Sequence, residues 1–137
     1  MVEEKPLQGL GRLGYMQEKV DLVKQGKMTP MVENLTNAHN DYLDAQVKHG
    51  VLGLLALLAL FLVPLRLFAR ALSADRSDAA AVARQPYALA GVMLCLCFIL
   101  FGTTTTSLTL NIGVMMLSFP MVMLWAQLRR AVPVPAA

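Results

Sequence analysis

The residues best suited to chemistry in this sequence lie between positions 34 and 53, a segment that contains both of its histidines. The segment is polar at first and then continues directly into a hydrophobic run. A neutral imidazole near the end of a helix can take a proton from a hydroxyl group, which is the task of a general base. We therefore consider His39, which is followed by the polar residue Asn40, a candidate catalytic base.

A continuous helix through this segment would place His39 in its first turn, with Thr36 or Asn37 as the cap. The positive end of the helix disfavours a charged imidazolium there, so the ring is expected to be neutral. With about 100° of rotation per residue, Gly50 and Gly53 fall on nearly the same side of the helix as His39. Glycines at such positions would allow a second helix to approach closely.

The other polar residues near His39 have simpler explanations. Asp41 and Asp44 are expected at a solvated helix start, where the helix dipole favours anions, rather than as a catalytic pair. Tyr42 is typical of a side chain that anchors a helix at the membrane surface. His49, at the same surface, is expected to be interfacial.

The composition is that of an integral membrane protein. Of 137 residues, 56% are hydrophobic and 15% are charged, and the apolar residues occur in blocks. The net charge of +3 is small, and no basic run is interleaved with aromatic residues, which argues against nucleic acid as a partner. Cys95 and Cys97 point to different sides of a helix, so we expect core packing residues rather than a disulfide or a metal pair.

The polar N-terminal part contains a glycine-rich segment and an expected short helix. Residues 9–14 fit the Gly-x-Gly-x-x-Gly pattern of dinucleotide-binding turns. No apolar strand precedes them and no β-α-β unit follows, so we expect only a turn with glycines at positive φ. Residues 16–24 are expected to form an amphipathic helix with Met16, Val20 and Val23 on one side.

Three apolar blocks define three expected transmembrane spans, at about residues 51–68, 87–104 and 108–128. Residues 1–50 form the polar segment that contains the histidines, and residues 131–137 form a short tail. The expected fold is therefore all-α, with three transmembrane helices after an outer loop and helix segment.

The arginines set the expected orientation of the membrane region, residues 51–130. The connection between the first two spans holds four arginines and the C-terminal flank holds two, whereas residues 103–109 hold none. Because basic residues stay in the cytoplasm, we expect residues 1–50 outside and the tail, residues 131–137, inside. No signal peptide is present to take the N-terminal part across the membrane, so we expect further spans to precede residue 1.

Two motifs resemble those of the O-antigen ligase family. His39-Asn40 is followed after nine residues by Gly50 and after two more by Gly53, which is similar to the family pattern of His, a polar residue and two spaced small residues. The sequence His-Asn-Asp-Tyr-Leu, and later Gly-Val-Leu-Gly-Leu-Leu, also looks like that family. Upstream, Pro6-Leu7-Gln8-Gly9-Leu10-Gly11 resembles its Pro-Leu-x-Gly-x-Gly segment. The resemblance covers residues 6–130, equivalent to the C-terminal third of a typical member.

The resemblance implies a glycosyltransferase of the bacterial inner membrane that moves a glycan from undecaprenyl pyrophosphate to lipid A-core in lipopolysaccharide biosynthesis. It implies that His39 in the periplasmic segment is the base, that the anomeric carbon is inverted, and that neither a metal nor a cofactor is needed. Asn40 would orient His39, bind the glycan or cap the helix. Arg12, the single arginine on the outer side, and Tyr42 are expected substrate contacts.

The motifs are compatible with several acceptors and with two kinds of protein. O-antigen polymerases and protein O-oligosaccharyltransferases share the pattern and differ mainly in the acceptor. In the family, the main phosphate-binding arginines precede the region that resembles this chain. We therefore expect a fragment that is inactive alone and works with upstream spans of the same protein, surrounded by membrane lipids. The alternative from another class is a small, non-catalytic membrane subunit with three spans.

Overall fold

The computed structural model describes residues 6–74, 79–109 and 111–130, which form helices joined by short connections. The helices are α1 (Gly11–Lys24), α2 (Asp41–Leu72), α3 (Ala79–Phe101) and α4 (Asn111–Arg130), with 3-10 turns at Pro30–Asn34 and Ser107–Thr109. No strand occurs within the described ranges. The predicted all-α fold is therefore confirmed for this part of the chain.

Helices α2, α3 and α4 are each long and apolar enough to cross a membrane, as the three apolar blocks predicted. Large apolar side chains on these helices are exposed, among them Leu100 at 68%, Ile112 at 69% and Phe119 at 68%. Exposed apolar faces of this extent are typical of surfaces that contact lipid rather than water. These helices are those of a membrane protein.

The helices extend further on the arginine-rich side than the predicted spans. Helix α2 continues to Leu72 and α3 begins at Ala79, because alanine and arginine both favour helix. At its other end α3 stops at Phe101, before the predicted end at residue 104. The carbonyl of Phe101 accepts hydrogen bonds from the backbone N–H groups of Thr104 and Thr105 and from the Thr104 hydroxyl. These bonds replace the next helical turn.

Helix α1 begins earlier than predicted and packs through a different face. It starts at Gly11 rather than at Met16. Its two buried side chains are Tyr15 and Lys19, which lie four residues apart on one side of the helix. The predicted helix over residues 16–24 is present, and Met16, Val20 and Val23 are half-buried; the pattern did not indicate that Tyr15 and Lys19 would be buried.

The chain divides into two compact units, Met1–Ala59 with Phe101–Ser107 and Leu60–Leu100 with Leu108–Ala137. The second unit has the hydrophobic core, which is formed by Phe68, Ala88, Cys95 and Leu128. Cys95 is fully buried and Cys97 is exposed. The prediction of core packing is therefore confirmed for Cys95 and wrong for Cys97.

A close helix contact in the second unit uses a glycine that the sequence did not single out. A side chain added at Gly91 of α3 would meet the ring of Phe68 on α2. Phe68 also contacts Trp125 of α4 edge to face, with the ring centroids 6.2 Å apart. Gly91 therefore makes room for the aromatic side chain around which this unit packs.

Candidate functional site

All the predicted site residues lie in the first unit, and all except Arg12 lie just before α2 or in its N-terminal part. Asn40 caps this helix: its side-chain Oδ1 accepts hydrogen bonds from the backbone N–H groups of Tyr42 and Leu43, both at 3.0 Å. The helix therefore begins at Asp41. The predicted caps, Thr36 and Asn37, lie outside the helix, and of the three roles considered for Asn40 the structure contains the cap.

His39 lies just before the helix and not in its first turn. Its φ of 53° is in the left-handed region, and it is the single non-glycine residue with positive φ in the described part of the chain. That conformation costs roughly 1–2 kcal/mol for an L-residue and persists only where the surroundings fix it. The side chain of His39 is exposed. The turn at His39 also explains why the helix starts later than predicted.

The connection between α3 and α4 holds the start of α2 from one side. The side-chain Nδ2 of Asn40 donates to the carbonyl of Thr103 at 2.9 Å. The backbone N–H of Asp41 donates to the carbonyl of Gly102 at 2.8 Å. The Ser107 hydroxyl donates to Asp41 Oδ2 at 2.7 Å. Asp41 is buried, with 4% of its surface exposed, so the prediction that it belongs to a solvated helix start was wrong.

A buried ion pair lies one and two turns further along α2. The ammonium of Lys48 is 2.7 Å from the carboxylate of Asp44, and only 7% of each side chain is exposed. Lys48 also donates to the carbonyl of Thr36 and to the side-chain oxygen of Asn37, both at 3.1 Å. The carboxylate of Asp44 accepts the backbone N–H of Ala38 at 3.2 Å. Asp44 is therefore paired and buried, not solvated as predicted.

Helix α1 completes this cluster with Tyr15 and Lys19. The ammonium of Lys19 donates to the carbonyl of Val32 at 3.1 Å. The ring centroid of Tyr15 is 4.7 Å from the Lys19 ammonium and 5.3 Å from that of Lys48, so both cations contact one aromatic ring. Burial lowers the pKa of Lys19, the charge of Lys48 lowers it further, and Asp44 opposes this. Burial raises the pKa of Tyr15, with a further contribution from Asp44.

Sequence analysis missed this cluster, although part of its signal was present. Asp44 and Lys48 have the i,i+4 spacing of a helical ion pair, and Tyr15 and Lys19 have the same spacing. The spacing is normally a property of an exposed face, and it contains no sign of burial. Burial results from tertiary contacts: α1 packs against the turn at Pro30–Asn34, and Tyr15 of α1 lies beside the ammonium of Lys48.

Gly50 interrupts α2. Its backbone angles, φ 66° and ψ −162°, are not helical. In an uninterrupted helix the carbonyl of Val47 would accept the N–H of Val51. Here the carbonyl of Val47 accepts the N–H of Leu10, and the N–H of Val51 donates to the carbonyl of Pro6, both at 2.9 Å. The segment Pro6–Leu10 thus supplies partners for the two backbone groups of α2 that lose each other at the break.

Glycine is required on both sides of this contact. A Cβ at Gly50 would meet the backbone of Leu7, and a Cβ at Gly9 would lie 2.5 Å from the backbone nitrogen of Gly50. A Cβ at Gly53 would meet the side chain of His49, which lies over it. The close approach predicted at Gly50 is made here by the segment Pro6–Leu10 rather than by another helix, and a helix contact at Gly53 stays a prediction. The break in α2 removes the helical periodicity that related the two glycines to the start of the helix.

The remaining predicted site residues are peripheral to these contacts. Arg12 is the second residue of α1, and its side chain is exposed. Tyr42 is in the first turn of α2 and is partly exposed. No three His, Cys, Asp or Glu side chains within the described ranges are close enough to hold a metal ion. The site therefore consists of an accessible imidazole on a turn that is fixed on both sides.

Comparison with known proteins gives one relative and no family. No protein-family profile matches the chain, and no solved structure matches it. The chain is 27% identical over 112 residues to a protein of Haemophilus influenzae that is described only as uncharacterized. The match covers 82% of this chain and 27% of that protein. The chain thus spans well under half the length of this relative, whose description names no activity.

Proposed function

We propose that this chain is part of an O-antigen ligase-like glycosyltransferase of the bacterial inner membrane, with His39 as the general base. The protein would transfer a glycan from undecaprenyl pyrophosphate to a hydroxyl group of lipid A-core. One observation supports this most: the two motifs that resemble the ligase family are bonded to each other. The segment Pro6–Leu10 fills the break at Gly50, at the end of the helical segment that His39 precedes.

The proposed reaction is a direct displacement at the anomeric carbon. The imidazole of His39 takes the proton of the acceptor hydroxyl, and the oxygen forms the new bond to carbon. The bond from that carbon to the pyrophosphate oxygen breaks, and undecaprenyl pyrophosphate leaves with the electron pair. Inversion of configuration follows from the single displacement. Pyrophosphate leaves readily when a cation stabilises its charge, for which Arg12 is the candidate within this chain.

The position of His39 is compatible with this role. Its side chain is exposed, so an acceptor can approach it, and the backbone on both sides of it is hydrogen-bonded, at Ala38 and at Asn40. Tyr42, in the first turn of α2, is the candidate contact for the glycan. Asn40 uses its side-chain oxygen and nitrogen in the cap and in the bond to Thr103, so its proposed role is to hold the turn rather than to bind substrate.

The proposed site is on the periplasmic side. Residues 6–50 and the connection Phe101–Ser107 belong to one compact unit, bonded through Asn40 and Asp41. The positive-inside rule keeps arginine-rich connections in the cytoplasm, so we assign both of these segments to the opposite, periplasmic side. The common unit supports placing them on the same side of the membrane, where lipid-linked glycans are presented.

The test is His39→Ala in the protein as its organism encodes it, with His49→Ala as the matched control. Both changes remove an imidazole near one surface, but only the first removes the proposed base. Lipopolysaccharide on a gel should lose its glycan ladder in the His39→Ala strain and retain it in the His49→Ala strain, at equal protein levels by immunoblot. A normal ladder in the His39→Ala strain would exclude the general-base assignment.

A further inference from the structure

Two side chains of α2, Lys48 and Asp44, form hydrogen bonds with the three residues that precede His39, residues 36–38. The ammonium of Lys48 donates to the carbonyl of Thr36 and to the side chain of Asn37. Asp44, which Lys48 binds, accepts the N–H of Ala38. An ammonium has three N–H donors, and all three of Lys48 are therefore used on this turn and its partner carboxylate.

These bonds occur where the backbone most needs them. His39 has a left-handed conformation that an L-residue adopts only when its surroundings compensate for the strain. The C-terminal side of the turn is held by Asn40 and Asp41 through the helix cap and the carbonyls of Thr103 and Gly102. Without Lys48 the N-terminal side would lose the bonds to Thr36 and Asn37, and the bond from Ala38 to Asp44 would lose the cation that holds its acceptor.

The burial of Lys48 distinguishes this arrangement from an ordinary helical ion pair. An exposed i,i+4 pair contributes little, and its partners exchange freely with water. Only 7% of the Lys48 and Asp44 side chains is exposed, and the ring of Tyr15 is beside the ammonium at 5.3 Å. Removing one member of a buried pair leaves the other without compensation, so the turn and the pair depend on each other.

We infer that Lys48 is a positioning residue for His39: its buried ammonium, together with Asp44, fixes the turn at Thr36–Ala38 and thereby the place and the direction from which the His39 side chain leaves the backbone. The inference rests on the proposed function for its catalytic consequence, but its structural part does not. Lys48 touches neither substrate nor reacting atoms in this scheme. It acts through the backbone of the residues that precede His39.

The first arm of the test measures the turn directly and needs no substrate. Hydrogen exchange is followed in the whole protein for Lys48→Met, Lys48→Arg and, as a control, Lys24→Met, which changes an exposed lysine of α1. Exchange at Ala38 should rise at least about tenfold in Lys48→Met, because the acceptor of its N–H, the carboxylate of Asp44, is then no longer held in place by Lys48. It should be closer to wild type in Lys48→Arg, which keeps the cation, and unchanged in Lys24→Met.

The second arm measures glycan transfer. A loosened turn should lower kcat of Lys48→Met by at least about tenfold while KM for the lipid-linked donor stays within about twofold, because orientation rather than binding is lost. Lys48→Arg should recover part of kcat. A variant that keeps full kcat although Ala38 exchanges faster would overturn the positioning role.

The two arms separate failure of this inference from failure of the proposed function. Unchanged exchange at Ala38 in Lys48→Met would overturn the inference whatever the protein catalyses. Loss of protection throughout α2 would also overturn it, since Lys48 would then be a determinant of the whole unit. If His39→Ala keeps full transfer, the proposed base is wrong and the exchange result alone decides the role of Lys48. If Lys48→Met does not accumulate, Lys48→Gln, which keeps a polar group but not the cation, is measured in its place, with the same outcomes.

Discussion

Gly50 and Gly26 have nearly the same positive φ, 66° and 69°, yet their surroundings differ completely. A Cβ at Gly26 would meet nothing within 4 Å, whereas one at Gly50 would meet the backbone of Leu7. Backbone atoms cannot move aside as the end of a flexible side chain can. The pair therefore separates the cost of a left-handed conformation from the cost of losing a close backbone contact.

Gly26→Ala should lower the free energy of unfolding by roughly 1–2 kcal/mol, the cost of a left-handed L-residue. Gly50→Ala should cost more, because the Pro6–Leu10 segment must also move away. The specific sign is loss of hydrogen-exchange protection at the N–H groups of Leu10 and Val51, which are bonded across the break. Equal protection of these two amides in both variants would contradict the account of the break.

At the scale of the elements, α1 contacts the turn at Pro30–Asn34 through a buried lysine, Lys19, rather than through an apolar stripe. Burial and the charge of Lys48 lower the pKa of Lys19, against the smaller opposing effect of Asp44. The unfolded chain then binds this proton more tightly than the folded one. Stability should consequently rise with pH between the lowered pKa and the ordinary value of 10.5. The raised pKa of Tyr15 acts in the opposite direction only above its ordinary value of 10.0.

Lys19→Met should make the free energy of unfolding less dependent on pH below about pH 10. It removes the ammonium group whose loss of a proton stabilises the folded protein. The groups that face Lys19 are Tyr15, Lys48 and Asp44, and all are retained in this variant. This pH dependence is measured as the hydrogen-exchange protection of α1 at neutral and at mildly alkaline pH. Lys24→Met, which changes an exposed side chain, should keep the wild-type dependence. A wild-type slope in Lys19→Met would refute this explanation.

The elements also show what the sequence could predict. The three long helices followed from the apolar blocks, and the positive φ of Gly9 followed from a glycine-rich turn without a neighbouring strand. The break at Gly50 could not be predicted in this way. It depends on hydrogen bonds from Pro6–Leu10, far away in the sequence, and helical periodicity contains no information about them.

The candidate site was predictable to the same extent. The sequence indicated His39 and Asn40, but Thr36, Asn37 and Asn40 are all good helix caps. The choice among them is made by the left-handed turn at His39 and by the bond from Asn40 to Thr103. The bond is a tertiary contact, and the turn is held by hydrogen bonds from Lys48 and Asp44 of α2.

At the scale of the whole molecule, the proposed orientation puts the two ends of α2 on opposite sides of the membrane. Single cysteines in a protein without Cys95 and Cys97 test this in intact spheroplasts. Met31 and Thr104 are exposed and should react with an impermeant thiol reagent. Ser73 and Arg130, also exposed, should react only after permeabilisation. Labelling of Ser73 in intact spheroplasts would reverse the orientation and exclude a periplasmic site.

The central claim is that His39 takes the proton of the acceptor hydroxyl. The most direct measurement is the single-turnover rate of glycan transfer by the purified protein, as its organism encodes it, from a lipid-linked donor to lipid A-core. His39→Ala should lower this rate by about 10²–10⁴-fold, the usual contribution of a positioned general base, with donor binding unchanged. His49→Ala should stay close to wild type. A His39→Ala protein that transfers glycan at the wild-type rate would contradict the account.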